Sequence, residues 1–346
     1  MWPPAWSLPP AAPRCWCSAS SSMLIDLLLI AVGFALVAKG GDLFVDSSIK
    51  IGKALRVPRI VIGGTLVSLA TTAPELVVSA TAALRGDPGM ALGNAVGSCI
   101  CNIGLIVGAV ALIMPVDVDR SDFIRRATWM VSGGLLVIAF SWDLSMERVF
   151  GGLLLAGAFG YLGWDLLGIL RSQRNGGASE ATAEDRAGLS GAVGWFSIGG
   201  GCVLAGSYFL VTSGQNLALA AGIPSSVIGF TVIAIGTSVP ELVTGVTAAR
   251  KGVPDLSLGN IIGANVLNLF LIVGMSGAIE PLNLDLFSQR YGLPWMALFF
   301  LTVIAVVLKY GVVRRPAGIV LLSLYTLYAV GIGVGIALGM VSIPAG

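Results

Sequence analysis

The sequence contains no histidine. That absence excludes a Ser-His-Asp triad, an HExxH zinc site and any histidine proton shuttle. Charge is also scarce. Only 11% of residues are Asp, Glu, Lys or Arg, where a soluble domain carries about 25%. Twenty basic residues face 18 acidic ones, for a net charge of +2, so there is no basic field with which to hold nucleic acid. Five cysteines contain no CxxC pair, which removes a zinc ribbon or a disulfide framework. What is abundant is apolar: 56% of the 346 residues are hydrophobic, 47 are glycine, and mean hydropathy is +0.91. A soluble core this apolar would leave large greasy patches in water. The composition points to a polytopic helical membrane protein.

A bilayer core about 30 Å thick needs roughly 20 apolar residues of helix. Ten stretches qualify, near 24–50, 58–84, 90–114, 127–143, 149–170, 190–220, 224–249, 256–280, 292–310 and 316–341. They run apolar without a period of two, which argues against a transmembrane barrel. Fifteen basic residues fall in the first, third, fifth, seventh and ninth loops, Arg126 and Arg250 among them, against four in the even loops and termini. The positive-inside rule then predicts cytoplasmic odd loops and both termini outside, in a cell (inner) membrane. Residues 171–188 read as a cytoplasmic linker between a first unit at 23–170 and a second at 189–346. Residues 1–22, rich in proline and serine, read as a disordered tail or an over-long start assignment before Met23. They lack the apolar run of a signal peptide.

Residues 57–108 align without a gap on 223–274, at a constant offset of 166, with 24 of 52 positions identical. Pro74 falls on Pro240, and Gly93-Asn94 on Gly259-Asn260. Each unit holds five spans, an odd number, so the second enters the membrane from the opposite side. The expected fold is therefore all-α, a polytopic membrane protein of ten transmembrane helices as two inverted five-helix repeats. That is an architecture of secondary transporters, with the substrate near the midplane.

In mid-span each copy carries a hydroxyl-hydroxyl-x-Pro-Glu stretch: Thr71, Thr72, Pro74, Glu75 and Thr237, Ser238, Pro240, Glu241. Proline removes a donor and clashes with the carbonyl four residues back. Carbonyls near Ser68 to Thr71 and Ala234 to Thr237 are thereby freed, beside hydroxyls and a carboxylate. Glu75 and Glu241 are the only acids well inside the second, third, seventh and eighth spans. Such residues are costly in a bilayer and mark ion pathways. Two carboxylates with carbonyl and hydroxyl oxygens, and no nitrogen or sulfur, suit a hard cation such as Ca²⁺. Empty, the pair requires Na⁺ or protons, since two bare carboxylates repel strongly. One site with competing cations is the logic of an antiporter.

Ser98 and Asn102, four residues apart, share a helix face; Ala264 and Asn268 are their repeat partners, with Asn265 near. Asn94 and Asn260 are expected to cap or bridge backbone, and Cys99 and Cys101 to pack. Asp26, Asp42, Asp46, Asp143, Asp165 and Glu280 are expected to be interfacial.

At these residues the sequence resembles the sodium/calcium exchanger family of the cation/calcium antiporter superfamily, in its bacterial and archaeal form. The second copy has GTSVPE at 236–241 and the first ATTAPE at 70–75. The resemblance covers nearly the whole chain from Met23. It implies that Glu75 and Glu241 ligate Ca²⁺, with backbone carbonyls of Thr71 and Thr237. It implies that Glu75, Glu241, Thr72, Ser238, Ser98, Asn102 and Asn268 serve the central sodium or proton sites, and that carbonyls of Ser68 and Ala234 serve outer Na⁺. Asn268 stands where some members have Asp, and Ala264 where some have Ser, which leaves the number and identity of the counter-ions open.

The expected activity is Na⁺/Ca²⁺ exchange exporting Ca²⁺, not enzymatic, with no cofactor beyond the transported Ca²⁺ and Na⁺. Ca²⁺/H⁺ antiport is the alternative, followed by an intramembrane hydrolase or a cation channel. A monomer in the lipid bilayer, without nucleic-acid partners, is expected.

Overall fold

The computed structural model describes residues 16–55, 57, 59–86, 88–174, 188–220, 234–284 and 286–337. The tail expected at 1–22 falls outside them up to residue 15, as does most of the 171–188 linker. The described chain is mostly helical, with short turns and four two-residue strands between the helices. In order come α1 (Trp16–Leu55), α2 (Arg59–Thr71 and Ala73–Leu84, bent by 43°), α3 (Pro88–Ile113), α4 (Arg120–Phe140), α5 (Arg148–Arg174) and α6 (Leu189–Ala220). Then follow α7 (Ala234–Thr237 and Val239–Arg250), α8 (Pro254–Ile279), α9 (Ser288–Tyr310) and α10 (Arg315–Ala337). Among the described residues, eight helices are long and apolar enough to cross a membrane, and α2 makes a ninth if its two pieces are one span. The stretch expected at 224–249 is described only from Ala234.

Glycine and proline place two of the tightest corners. Gly86 and Gly252 occupy equivalent repeat positions and adopt φ +76° and +73°, the left-handed conformation that ends a helix. Pro88 and Pro254 follow two residues later and open α3 and α8, where the missing N–H costs nothing. The fourth helix begins at Arg120 rather than near residue 127 because Asp119 caps it, accepting from the backbone N–H of Ser121 and Asp122.

α3 and α8 lie at the centre, and nearly every α8 residue is buried. The close crossing of α2 on α8 requires glycine. A Cβ on Gly259 would strike the Ile60 carbonyl, and one on Gly263 the Gly64 backbone. α1 and α6 meet along a similar seam, where Gly33 and Gly206 each face the other's carbonyl.

The strands β1 (Val116–Asp117), β2 (Ser145–Met146), β3 (Leu282–Asn283) and β4 (Val312–Val313) tie the loops in pairs. β1 pairs antiparallel with β4, and β2 with β3. The third loop therefore meets the ninth, and the fourth meets the eighth. Odd loops join odd and even join even.

Arg126 and Asp165 overturn two expectations. Arg126 is not in a loop and Asp165 is not interfacial: each side chain is 3% exposed, and they form a two-pronged ion pair at 2.7 and 3.0 Å. Arg126 also donates to the Tyr161 hydroxyl at 3.0 Å, which donates to the Gly64 carbonyl at 2.9 Å. Gly64 lies in the π-helical turn Gly63–Val67, where the backbone has left the regular i to i−4 ladder. The buried charges thus fasten α4 and α5 to α2 beside its crossing with α8.

Candidate functional site

Thr72 and Ser238 break their helices at φ/ψ of −79°/−2° and −85°/6°, the sparsely populated bridge region. Beyond each break the helix restarts with proline in its first two residues and glutamate in its first turn. Glu75 and Glu241 therefore sit at helix N-termini, where unpaired N–H groups and the helix dipole favour negative charge. Both are fully buried.

The two breaks face one another, and their hydroxyls cross over. Thr72 Oγ1 reaches Glu241 Oε1 at 3.5 Å, and Ser238 Oγ donates to Glu75 Oε1 at 3.3 Å. A second crossed pair backs the first. Thr71 Oγ1 donates to Asn260 Oδ1 and Thr237 Oγ1 to Asn94 Oδ1, each at 3.2 Å. The amides of Asn94 and Asn260 are held in turn, donating to Ser79 Oγ at 2.9 Å and to Thr244 Oγ1 at 3.1 Å. Asn94 also approaches its own repeat's Glu75 carbonyl at 3.4 Å. Asn94 and Asn260 are thus cross-repeat acceptors, and of the two it is Asn94 that also meets backbone, at the Glu75 carbonyl. Their identical placement after glycine in both repeats was the available signal.

α3 and α8 complete the surroundings. Both turn π-helical at the equivalent residues Asn102 and Asn268, and π turns recur at functional sites. Asn102 donates to Asn265 Oδ1 at 3.0 Å. The site keeps buried polar atoms without partners: one oxygen of each glutamate, Ser98 Oγ, Asn102 Oδ1 and both amide atoms of Asn268. Buried orphans are rare and costly in a folded protein. Here they are mainly oxygens, the donor set of a hard cation. The bonds fall into two mirrored sets, one joining Glu241 with Thr72, Ser68, Thr71 and Asn260 and the other joining Glu75 with Ser238, Asn94 and Thr237, while Ser98, Asn102 and Asn268 are buried without a direct bond to either glutamate. The carbonyls of Ser68 and Ala234 are engaged. Ser68 O accepts from the Thr72 backbone at 2.9 Å and hydroxyl at 2.6 Å, and Ala234 O from the Ser238 backbone at 3.2 Å. Cys99 and Cys101 are buried and free.

A family model described as sodium/calcium exchanger protein matches residues 25–166 and 191–334. The chain is 30% identical over 342 residues to the sodium/calcium exchanger MaX1 of Methanosarcina acetivorans, covering 88% of this chain and 98% of that protein. It is 33% identical over 269 residues to the inner membrane protein YrbG of Escherichia coli, covering 76% and 82%. Among solved structures it resembles the sodium-calcium exchanger NCX_Mj soaked with 10 mM Na⁺ and zero Ca²⁺, with TM-score 0.75 at 28% identity over 88% of this chain and 98% of that one.

Proposed function

The chain belongs to the sodium/calcium exchanger family of cation/calcium antiporters, and on that premise we propose that it is a secondary-active Na⁺/Ca²⁺ exchanger that exports Ca²⁺ from the cytoplasm. The observation that carries the reading is the crossed arrangement: two buried glutamates, Glu75 accepting from Ser238 and Glu241 within 3.5 Å of the Thr72 hydroxyl, each facing a hydroxyl of the other repeat and each keeping one oxygen unpartnered. One Ca²⁺ neutralises both carboxylates. Na⁺ replaces it by occupying the same oxygens, so the two ions compete and alternate. Ca²⁺ is held by Glu75, Glu241 and the carbonyls of Thr71 and Thr237. Na⁺ uses Thr72, Ser238, Ser98, Asn102 and Asn268 with the same glutamates. No step needs a bound cofactor.

The architecture we assign is ten spans in two inverted five-helix repeats. The strand pairs support it: the offset that places the first repeat on the second also carries β1 onto β3, and so the β1–β4 pair onto the β3–β2 pair. With odd loops cytoplasmic, both termini lie outside the cell membrane.

The experiment is Ca²⁺ uptake by everted membrane vesicles under an imposed Na⁺ gradient or an imposed pH gradient. Uptake driven by Na⁺ and lost in Glu75→Gln is expected. Uptake driven by the pH gradient alone and indifferent to Na⁺ replaces Na⁺ by H⁺ as the counter-ion. Downhill Ca²⁺ flux without counter-transport indicates a channel. Intact transport in Glu75→Gln refutes the site.

A further inference from the structure

Pro74 and Pro240 each remove the donor that a helix aims at the carbonyl four residues back. Those carbonyls belong to Ala70 and Gly236. The two repeats treat them differently. Ser207, wholly buried on α6, donates its hydroxyl to the Gly236 carbonyl at 2.9 Å. Among the described residues no side chain donates to the Ala70 carbonyl. At the repeat offset of 166 the counterpart of Ser207 is Gly41 on α1, which has no hydroxyl to offer. The position also has no room for one, since a Cβ on Gly41 would stand 2.5 Å from Cγ1 of Val243 on α7. The difference is therefore built into the packing of α1 on α7, and a single exchange at Gly41 does not remove it.

Gly236 lies between Ala234 and Thr237, in the helical residues that lead into the Ser238 break. A bond to its carbonyl fixes the peptide plane that joins Gly236 to Thr237. It thereby steadies the residues whose hydroxyls reach Asn94 and Glu75. Ala70 occupies the matching place before Thr71 and Thr72, and there the proline-freed carbonyl remains available.

We propose that Ser207 is a positioning residue of the cation site, which saturates the proline-freed carbonyl of Gly236 and makes the two repeats unequal, since the Ala70 carbonyl has no such tether. The inference rests on the exchanger reading above. It adds that the pseudo-symmetric site has one tethered hinge and one open one, and that the tether comes from a helix outside the duplicated motif.

The test compares the parent protein with Ser207→Ala, Ser207→Thr and Ser207→Cys. Cation binding is read as Na⁺- and Ca²⁺-dependent thermal stabilisation of the purified protein, and flux in proteoliposomes is read beside it. A hydrogen bond of ordinary net strength corresponds to about a three- to tenfold change in equilibrium. Ser207→Ala is therefore expected to raise the half-saturating Na⁺ and Ca²⁺ concentrations about three- to tenfold, with maximal flux per folded molecule changed less than about twofold. Ser207→Thr, which keeps the hydroxyl, restores the parent values. Ser207→Cys, a weaker donor of similar size, falls between and serves if the alanine variant does not accumulate. Half-saturating concentrations unchanged in Ser207→Ala, or unchanged in Ser207→Cys, overturn the inference. So does a loss of yield with unchanged cation dependence, or a threonine variant that behaves as alanine. With the parent exchanging ions normally, these results overturn the inference alone. A parent that neither binds nor exchanges the ions overturns the exchanger reading, and this inference with it.

Discussion

Replacing Arg126 by methionine separates the cost of an orphaned charge from the worth of an ion pair. The guanidinium makes two bonds to Asp165, at 2.7 and 3.0 Å, and one to the Tyr161 hydroxyl at 3.0 Å, with both charged side chains 3% exposed. Unit charges roughly 4 Å apart at an effective dielectric of about 20 attract by about 4 kcal/mol. Desolvating the two groups costs a comparable amount, so the pair itself is close to neutral against an apolar substitute of the same volume. Removing one partner is a different perturbation, because it strands the other. Arg126→Met alone leaves the Asp165 carboxylate buried beside a single hydroxyl and should cost about 3–5 kcal/mol. Arg126→Met with Asp165→Leu should lie within about 1 kcal/mol of the parent, despite being the larger change in sequence. The assay is reversible unfolding of the detergent-solubilised protein, followed by a fluorescence or circular-dichroism probe. Each single variant should unfold far earlier than the double variant. A double variant as unstable as Arg126→Met refutes the reasoning, because the loss would then belong to packing. A single variant costing less than about 1 kcal/mol refutes it too, because the site would then be wet enough to solvate a lone carboxylate.

The other predictions concern the cation site and one helix cap. Glu75→Gln and Glu241→Gln, tested separately, should each lower Ca²⁺ flux by more than about a hundredfold, beyond the 10- to 100-fold typical of a metal site's outer partners; vesicle uptake checks both. Asn94→Ala and Asn260→Ala each remove two bonds to hydroxyls that keep a backbone partner and should cost about 1–3 kcal/mol. Their unfolding curves should agree within about 1 kcal/mol, and a markedly unequal pair would contradict the mirrored roles. Asp119 lies outside the membrane, its carboxyl held below the usual carboxylate range by the Ser121 hydroxyl and backbone N–H. A depressed acid stabilises the fold above its unfolded value and loses that contribution as pH falls through the folded one. Asp119→Ala should cost about 1 kcal/mol at neutral pH, and the gap to the parent should narrow only below about pH 4, as acid titration of unfolding would reveal.

Most of the architecture was legible because membrane helices announce themselves by length and hydropathy, and because the two copies share 24 of 52 positions. The cluster around Glu75 and Glu241 was legible for the same reason: duplication singled out residues that composition alone would hide. Arg126 and Asp165 were not. Their partners lie 39 positions apart on neighbouring helices, and a basic residue near a span end looks like a loop residue until Asp119 is seen to start the helix early. Asn94 and Asn260 were visible as repeated residues but not as cross-repeat acceptors, since their role depends on how α2 and α7 face each other. Ser207 was invisible, because a repeat comparison sets it against Gly41 and so discards it.

The crossing of the hydrogen bonds bears on why exchange rather than leak is expected. If each hydroxyl served the carboxylate of its own repeat, one half of the site could load or release an ion without consequence for the other. Here Ser238 donates to Glu75, and the Thr72 hydroxyl stands 3.5 Å from Glu241 while donating to the Ser68 carbonyl, so an ion that claims a carboxylate meets a hydroxyl of the opposite repeat. Thr71 and Thr237 extend the crossing to Asn260 on α8 and Asn94 on α3. The bonds of Glu75 thus run to the Ser238 break and, through Asn94, to α3, and those of Glu241 to the Thr72 break and, through Thr244 and Asn260, to α8. Coupling of this kind needs a contiguous set of groups with more than one arrangement, and hydroxyls have that freedom because each can donate to a carboxylate or turn its lone pairs to an ion. Removing the crossing while keeping both carboxylates, as in Thr72→Ala with Ser238→Ala, should then loosen the stoichiometry of exchange more than it lowers Ca²⁺ affinity. Simultaneous measurement of Na⁺ and Ca²⁺ fluxes in the same vesicles checks this, and tight coupling that survives the double substitution would show that the crossed bonds only pack the site.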